Sequence, residues 1–479
     1  MDKTLKAILE LEEKTGCNQA EIDGFQFWNY ERFYIWQSME EMVKDEDVDK
    51  RNSFHEKLNT AKKYFSYLLT KRSRFRKGKV DILFMPHSRR FYANGKYQCM
   101  YSGELMTRYK NALTLERFYE KGHLEPVAEK NIIYLDRVIF KAIFYSVLCA
   151  KIKKRKNKEI AKCVRPYAVK VYEALGISSA EIKERVSRVS RRAIKDYYVY
   201  KVVMPYMRKL LEDVSPKAVV EVVHYSKYCM MMTETCHRMG IPVIELQHGY
   251  GGDNHTALNY GKQQYIKQFP DYFLKFSDFH CRGAKFPIPQ ENIISAGFSF
   301  FDAKVKSIKW DDRREKGILF ISHALKGEKM AKIAVDLSNM PGMDEYRIIY
   351  KMHPVEFEIW KELYPELIHS KIEIFDDFSK DIYDCFGMTY LQIGVSSTAI
   401  YEGLGVGMET LILQDDQSWW MNEVIEQGYA KEMHNAEEIY QYINGAVAKT
   451  KIDRDYFFKP DATKNMVQVI NEIMDRAGN

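Results

Sequence analysis

The sequence has 479 residues, 46% of them hydrophobic and 29% charged, with a net charge of +7. Such a chain is too long for one ordinary core and suits two domains with helical additions, and its balance excludes wholesale disorder. Eight scattered cysteines with no CxxC pair exclude a zinc ribbon and point to reduced thiols in the cytoplasm.

The opening residues, MDKTLKAILELEEKTG, are charged throughout and lack a secretory pattern. Apolar residues at 5, 8, 9 and 11 predict a helix over 3–14, and a second and third follow over 25–42 and 54–69. KVDILFM (79–85) reads as a buried strand ending in the loop 86–90, and IIYL (132–135) as another. Val138 to Ala150 is the longest apolar stretch here, but it is short of the roughly 18 residues a membrane span needs and contains Lys141. Two basic runs stand out: 71–79 holds six cations, and 151–165 holds eight against one Glu. Each is either a solvated helix face or a patch for an anionic surface, such as the inner membrane leaflet or an acidic polymer. No nucleic-acid motif accompanies them, so nucleic acid is not expected as a partner. A long helix is predicted over 179–213, kinked or broken at Pro205.

From Lys217 short strands and helices alternate. Strands are predicted at 218–223, 243–246, 272–276 and 293–296; after the polar stretch 304–316, they resume at 317–321, 346–352, 372–375, 389–393 and 410–413. Such alternation predicts parallel sheets covered on both faces. The expected layout is an acceptor-side Rossmann-like domain over 1–303 with a helical extension, a linker over 304–316, a donor-binding Rossmann-like domain over 317–440, and C-terminal helices over 441–479 packing back on the first domain. The two domains are expected to face each other across a cleft. Ligands in such sheets bind past the carboxyl ends of the strands, so the loops there carry the candidate chemistry.

Strand 243–246 runs into Gln247-His248-Gly249-Tyr250-Gly251-Gly252. Small residues there permit positive φ and close approach of a ligand, and the His248 imidazole suits a general base on an acceptor hydroxyl. His255 is a weaker companion. Strand 346–352 ends in His353-Pro354; the proline holds His353 extended, where it can donate to a phosphate oxygen. In Ile393-Gly394-Val395-Ser396-Ser397-Thr398, strand gives way to helix. The hydroxyls of Ser396, Ser397 and Thr398 and the free N–H groups of the first turn form an anion site suited to nucleotide phosphates, with Glu402 one turn on for ribose hydroxyls. His323, at the end of 317–321, is a weaker candidate, as are Gly249 and Arg89; His87 and Arg90 share the Arg89 loop and are equally surface charges or an acidic-acceptor site. Trp419 and Trp420 read as packing. The DxD letters at 45–49 fall in a charged turn and are read as solvent-facing, so no metal is expected. GxxxxGK[ST], HExxH, GxSxG and GxGxxG are absent, which argues against a P-loop NTPase, a zinc hydrolase, a serine hydrolase and a dinucleotide dehydrogenase.

Glu245-Leu246-Gln247-His248-Gly249, His353-Pro354, and Ser396-Ser397-Thr398 with Tyr401-Glu402-Gly403-Leu404 together resemble bacterial surface-polymer transferases of GT-B fold: the CDP-glycerol glycerophosphotransferases, polysialyltransferases and capsule Kdo transferases. The resemblance covers roughly 216–413. It implies a metal-independent enzyme without a cofactor, taking a CMP- or CDP-linked donor to a polysaccharide or lipid-linked glycan acceptor, in the cytoplasm or peripherally on the inner membrane. It assigns His248 as base and His353, Ser396, Ser397 and Thr398 to donor phosphate. The chain departs from it at Tyr250-Gly251-Gly252 and in lacking the acidic base motif of sialyltransferases. Alternatives are a nucleotide-sugar epimerase of the same fold and a non-catalytic capsule-assembly binding protein.

Overall fold

The computed structural model describes residues 2–40, 78–118, 122–323, 327–415, 418–445, 450 and 452–477. The helix expected over 54–69, the acidic letters at 45–49 and residues 71–77 of the first basic run lie outside them. The chain forms two compact units: 1–275 with 280–299 and 462–479, and 276–279 with 300–461.

The first unit holds strands β1 (Ile82–Met85), β2 (Arg90–Ala93), β3 (Lys96–Cys99), β4 (Ala112–Glu116), β5 (Ile132–Tyr134), β6 (Ala218–Glu221), β7 (Val243–Leu246), β8 (Tyr272–Lys275) and β9 (Ile293–Ser295). β2 and β3 make an antiparallel hairpin. The other seven form one parallel sheet in the order β5-β4-β1-β6-β7-β8-β9. Its central strands ILFM, AVVE and VIEL are buried along their whole length, as expected when both faces of a parallel sheet are covered.

Helices Lys3–Thr15, Phe27–Glu40, Asp136–Ile152, Lys154–Ala174 and Ser179–Val214 build a thick helical layer, joined to the sheet in one core through Trp28, Tyr172, Met207, Leu83 and Val219. Aromatic rings pack closely here: the ring of Phe25 lies 4.8 Å from that of Tyr30 and 5.2 Å from that of Tyr200. The helix Ser179–Val214 runs unbroken through Pro205. Proline removes one intrahelical bond, but Val203, Met204 and Met207 around it are buried and hold the helix to the core. The helix Asp136–Ile152 was not anticipated, because exposed apolar residues blur its periodicity; the helix Lys154–Ala174 takes in most of the basic run 151–165, for which a solvated helix face was one of the two readings. Among the described residues no helix is long and apolar enough to cross a membrane.

The second unit holds β10 (Gly317–Ile321), β11 (Arg347–Lys351), β12 (Glu373–Phe375), β13 (Leu391–Gly394), β14 (Glu409–Leu413) and β15 (Lys431–Met433), all parallel in the order β12-β11-β10-β13-β14-β15. Residues 304–316 are not a free linker: they begin inside the helix Ser299–Ser307 and end in the 3-10 turn Arg314–Lys316, all within this unit. The final helix Ala462–Ala477 belongs to the first unit. Two Rossmann-like sheets in succession, with N-terminal helical additions, are the α/β, GT-B-like class read from the sequence.

The helix Thr398–Gly405 lies close on its sheet. A Cβ at Gly403 would stand 2.0 Å from Gln392 Oε1, and Gln392 is fully buried, donating to Ile400 O and Thr410 Oγ1 at 2.9 Å each. Alanine would gain about 1 kcal/mol of helix propensity but drive a methyl into that bonded amide. Gly403→Ala is therefore expected to lower stability by about 1–3 kcal/mol net, read as a reduced urea midpoint.

Candidate functional site

In open parallel sheets ligands bind where the strand order reverses direction. In the first unit that point lies between β1 and β6, with β4 and β5 to one side and β7 to β9 to the other. The chain places a histidine just past each of the three central strands: His87 after β1, His224 after β6 and His248 after β7.

His248 is the pivot. Its ring lies 5.9 Å from that of His87 at an interplanar angle of 28°, its Nε2 is 2.9 Å from the Tyr225 hydroxyl, and its Nδ1 is 3.9 Å from Glu245 Oε1. Tyr101 donates to its carbonyl oxygen at 2.7 Å, and Arg89 donates to Tyr101 at 3.1 Å. Burial, with His255, His87, His224 and Arg89 nearby, holds its pKa well below the usual histidine value. The imidazole is therefore neutral at pH 7 and able to take a proton. Burial likewise lowers His87 to about 4, aided by Arg89. It also lowers His255 to about 4, aided by His224. His255 stacks at 6.4 Å on Phe33 and lies 5.8 Å from the Tyr225 ring; its buried Nδ1 has no partner among the described residues.

Beneath them lies a buried couple. His224 Nδ1 bonds the Glu245 carboxylate and its Nε2 faces the carbonyl of Ala257 at 2.9 Å. A carbonyl only accepts, so Nε2 carries a proton; the carboxylate contact needs a second. The pair holds both and is neutral overall. Val223, between β6 and His224, has φ +67°, a strained value for a β-branched residue and one that clusters at functional sites.

The glycines act differently from expectation. None of Gly249, Gly251 and Gly252 has positive φ. A Cβ at Gly251 would stand 2.5 Å from Leu258 and 2.8 Å from Cys281, so that glycine serves internal packing; one at Gly249 would meet nothing within 4 Å, leaving open space beside His248. Arg90 is not available to a ligand, because it is buried against Glu116 and Glu129. Arg89 is exposed.

The N-terminal helices fasten the loop that follows. Arg32, fully buried, donates from Nε to Glu12 at 2.7 Å and from its two Nη atoms to the carbonyls of Thr256 and Asn259. Trp28 Nε1 also donates to Glu12 at 2.7 Å.

In the second unit the reversal lies between β10 and β13. His323 follows β10 and Ser396 follows β13, and His323 Nε2 lies 3.1 Å from Ser396 Oγ. Ser397 caps the next helix, accepting from Ala399 N–H at 3.3 Å; Thr398 is exposed at its first position, and Glu402 is half-buried one turn on. Unbonded N–H groups of a first helical turn suit an anion. His353 follows β11, half-buried; its main-chain N–H donates to Glu356 at 2.9 Å. The wholly buried Glu356 also accepts from Ser322 Oγ and from Tyr364 OH at 2.6 Å each, tying the loops after β10 and β11 together. Trp419 and Trp420 stack on each other at 4.2 Å.

Sequence reasoning named His248, His255, His323, His353 and the hydroxyl run as candidates, but passed over His224, Tyr225, Tyr101, Arg32 and Glu356. The strand-end rule that selected His248 applies equally to His224. Nothing local marks Arg32 or Tyr101, whose partners are distant in the chain.

Removing the Arg32 guanidinium would strand Glu12 in the core, and Arg32→Ala is expected to cost about 3–5 kcal/mol in urea unfolding. The double change Glu12→Gln with Arg32→Met should recover most of it. For His255, the unfolded chain takes up a proton below about pH 6.5, whereas the folded chain does so only near 4. Its contribution is thus lost as pH falls through that window, at up to about 1.4 kcal/mol per pH unit. His255→Gln should flatten the fall in stability between those pH values, measured as slope against the parent.

No protein-family model and no curated protein matches the chain. Among solved structures it is similar to the UDP-GlcNAc 2-epimerase of Methanocaldococcus jannaschii, at 12% identity over 82% of this chain and 99% of that one, with a TM-score of 0.49. It is also similar to the UDP-GlcNAc 2-epimerase of Neisseria meningitidis bound to UDP-GlcNAc (12% identity, 82% and 100% covered, TM-score 0.47) and to MurG of Acinetobacter baumannii (13% identity, 58% and 78% covered, TM-score 0.39).

Proposed function

We propose that the chain is a transferase that moves a sugar or polyol-phosphate unit from a nucleotide-activated donor to a glycan acceptor. The observation that carries this reading is the pairing of His323 with Ser396 at the β10/β13 reversal, beside the helix start at Ser397 and Thr398. Hydroxyls, an imidazole and main-chain N–H groups gathered there are what a nucleotide phosphate requires. His353 adds a second imidazole after the neighbouring strand, and Glu402 a carboxylate for ribose hydroxyls. A CMP- or CDP-linked donor, a cell-surface polysaccharide or lipid-linked acceptor, metal-independent chemistry and a cytoplasmic, peripheral-membrane setting follow from the resemblance and complete the proposal.

The first unit supplies the base. An acceptor hydroxyl takes the place of the Tyr225 hydroxyl at His248 Nε2. Its O–H bond breaks as the oxygen bonds the activated carbon or phosphorus, the proton goes to Nε2, and the bond to the nucleotide phosphate breaks with its electron pair on the departing oxygen. The hydroxyls and imidazoles past β10, β11 and β13 are groups suited to a nucleotide phosphate, and binding that strengthens as charge develops lowers a barrier.

Thermal shift with CMP, CDP and UDP tests the donor side. A cytidine nucleotide at a hundred times its Kd should stabilise by about 2.7 kcal/mol, and Ser396→Ala with His323→Ala should abolish that shift. No shift with any nucleotide would leave a non-catalytic binding protein. His248→Ala should retain the shift and lose about 10²–10⁴-fold in turnover, whereas His353→Ala should lower turnover and donor affinity together. Product analysis with donor alone separates transfer, which needs acceptor, from epimerisation, which does not.

A further inference from the structure

The helix Asp136–Ile152 buries one side only. Ala142, Ser146 and Cys149 face the core, largely against the helix Ser179–Val214. At 100° per residue, the opposite arc of about 200° carries Ile143, Phe144, Tyr145, Val147, Leu148 and Ile152. All six are exposed, Phe144 by 64% and Ile152 by 60%. Scattered apolar residues on a surface need no explanation, but six on one helical arc do. Lys141 and Lys151 lie in the same arc, and Lys153, Lys154 and Arg155 follow directly, all exposed.

A concavity of about 450 Å³ adjoins this arc. Ile143 and Val147 form one wall and Arg188, Arg191, Arg192 and Lys195 another. Arg192 is paired with Glu31, and Lys227, also in the lining, with Asp196 at 2.7 Å. Arg188 pairs with the exposed Glu184. Among the described residues neither Arg191 nor Lys195 has a carboxylate within ion-pair distance. An apolar face edged by cations that lack counter-charges matches the boundary of an anionic bilayer: acyl chains against the helix, lipid phosphates against the cations. A second copy of this chain is a poor occupant, since a two-fold contact through this face would bring the same cations together.

We infer that the face formed by the helix Asp136–Ile152 and the adjoining cationic concavity docks on an anionic phospholipid surface, with the helix lying in the plane of the membrane. This inference deepens the peripheral-membrane part of the proposed function by naming the face that carries it; vesicle binding involves no nucleotide, so its failure is distinguishable from failure of the transferase reading. A bilayer-bound orientation would present the enzyme to a lipid-linked acceptor.

The test is co-sedimentation of the full chain with phosphatidylcholine vesicles, with and without phosphatidylglycerol. Binding is expected to the mixed vesicles, weakened by salt, and not to phosphatidylcholine alone. Phe144→Ser with Leu148→Ser, and separately Arg191→Glu with Lys195→Glu, should each lower the partition by about tenfold or more, with circular dichroism unchanged since all four side chains project from helix surfaces. Equal binding by parent and both variants, or equal binding to the two vesicle types, overturns the proposal. So does a loss of dimer on ultracentrifugation in the apolar variant with vesicle binding unaltered, which would assign the face to a second copy.

Discussion

The arrangement of the first unit's site depends on one buried cation. Arg32, on a helix near the start of the chain, reaches carbonyls at Thr256 and Asn259, more than two hundred residues away. Those carbonyls bracket Ala257, whose own carbonyl receives the His224 proton, and lie beside His255. Glu12 neutralises the guanidinium in the core. A loop following a parallel strand has no sheet partner of its own, and here the helical addition supplies the missing bonds. A buried ion pair is weak evidence of net stability; its value lies in fixing one loop geometry, with all three guanidinium nitrogens directed at named acceptors.

The histidine group follows from the same enclosure. Four imidazoles close together repel when charged, and burial adds to that cost. His87, His248 and His255 accordingly resist protonation, while His224 is matched to a carboxylate. One cluster thus contains a neutral proton acceptor above a proton-holding couple. The second unit uses polar connectors differently. Glu356 collects three donors from two loops and so sets the spacing between the ends of β10 and β11. In both units the side chains with chemistry to offer stand on strand ends, and the groups that position them lie one layer below.

Much of this was legible in the local pattern. Short apolar runs bounded by turn residues marked β7 and β10 to the residue, and the texture change at Lys217 marked the start of regular alternation. The signal failed where local pattern and packing disagree. ALTLE in β4 alternates too briefly to stand out, and KEM in β15 is too polar. The helix Asp136–Ile152 is apolar on its exposed side, which inverts the cue that reveals an amphipathic helix. Pro205 was read as a kink or break because proline's lost bond is local, whereas the burial that compensates it is not. The glycines after His248 were read for positive φ and close approach of a ligand; none has positive φ, Gly251 serves internal packing, and a Cβ at Gly249 would meet nothing within 4 Å.

By itself the sequence determined the class of fold and the residues at several strand ends, since hydrophobic period and turn chemistry act over a few neighbours. It did not determine strand order. Only the tertiary structure set β1 beside β6 and β10 beside β13, and with them the meeting of His87 with His248 and of His323 with Ser396 across 73 residues of chain. Strand neighbours are chosen by how whole layers pack, a property of the complete set of elements that no single segment contains.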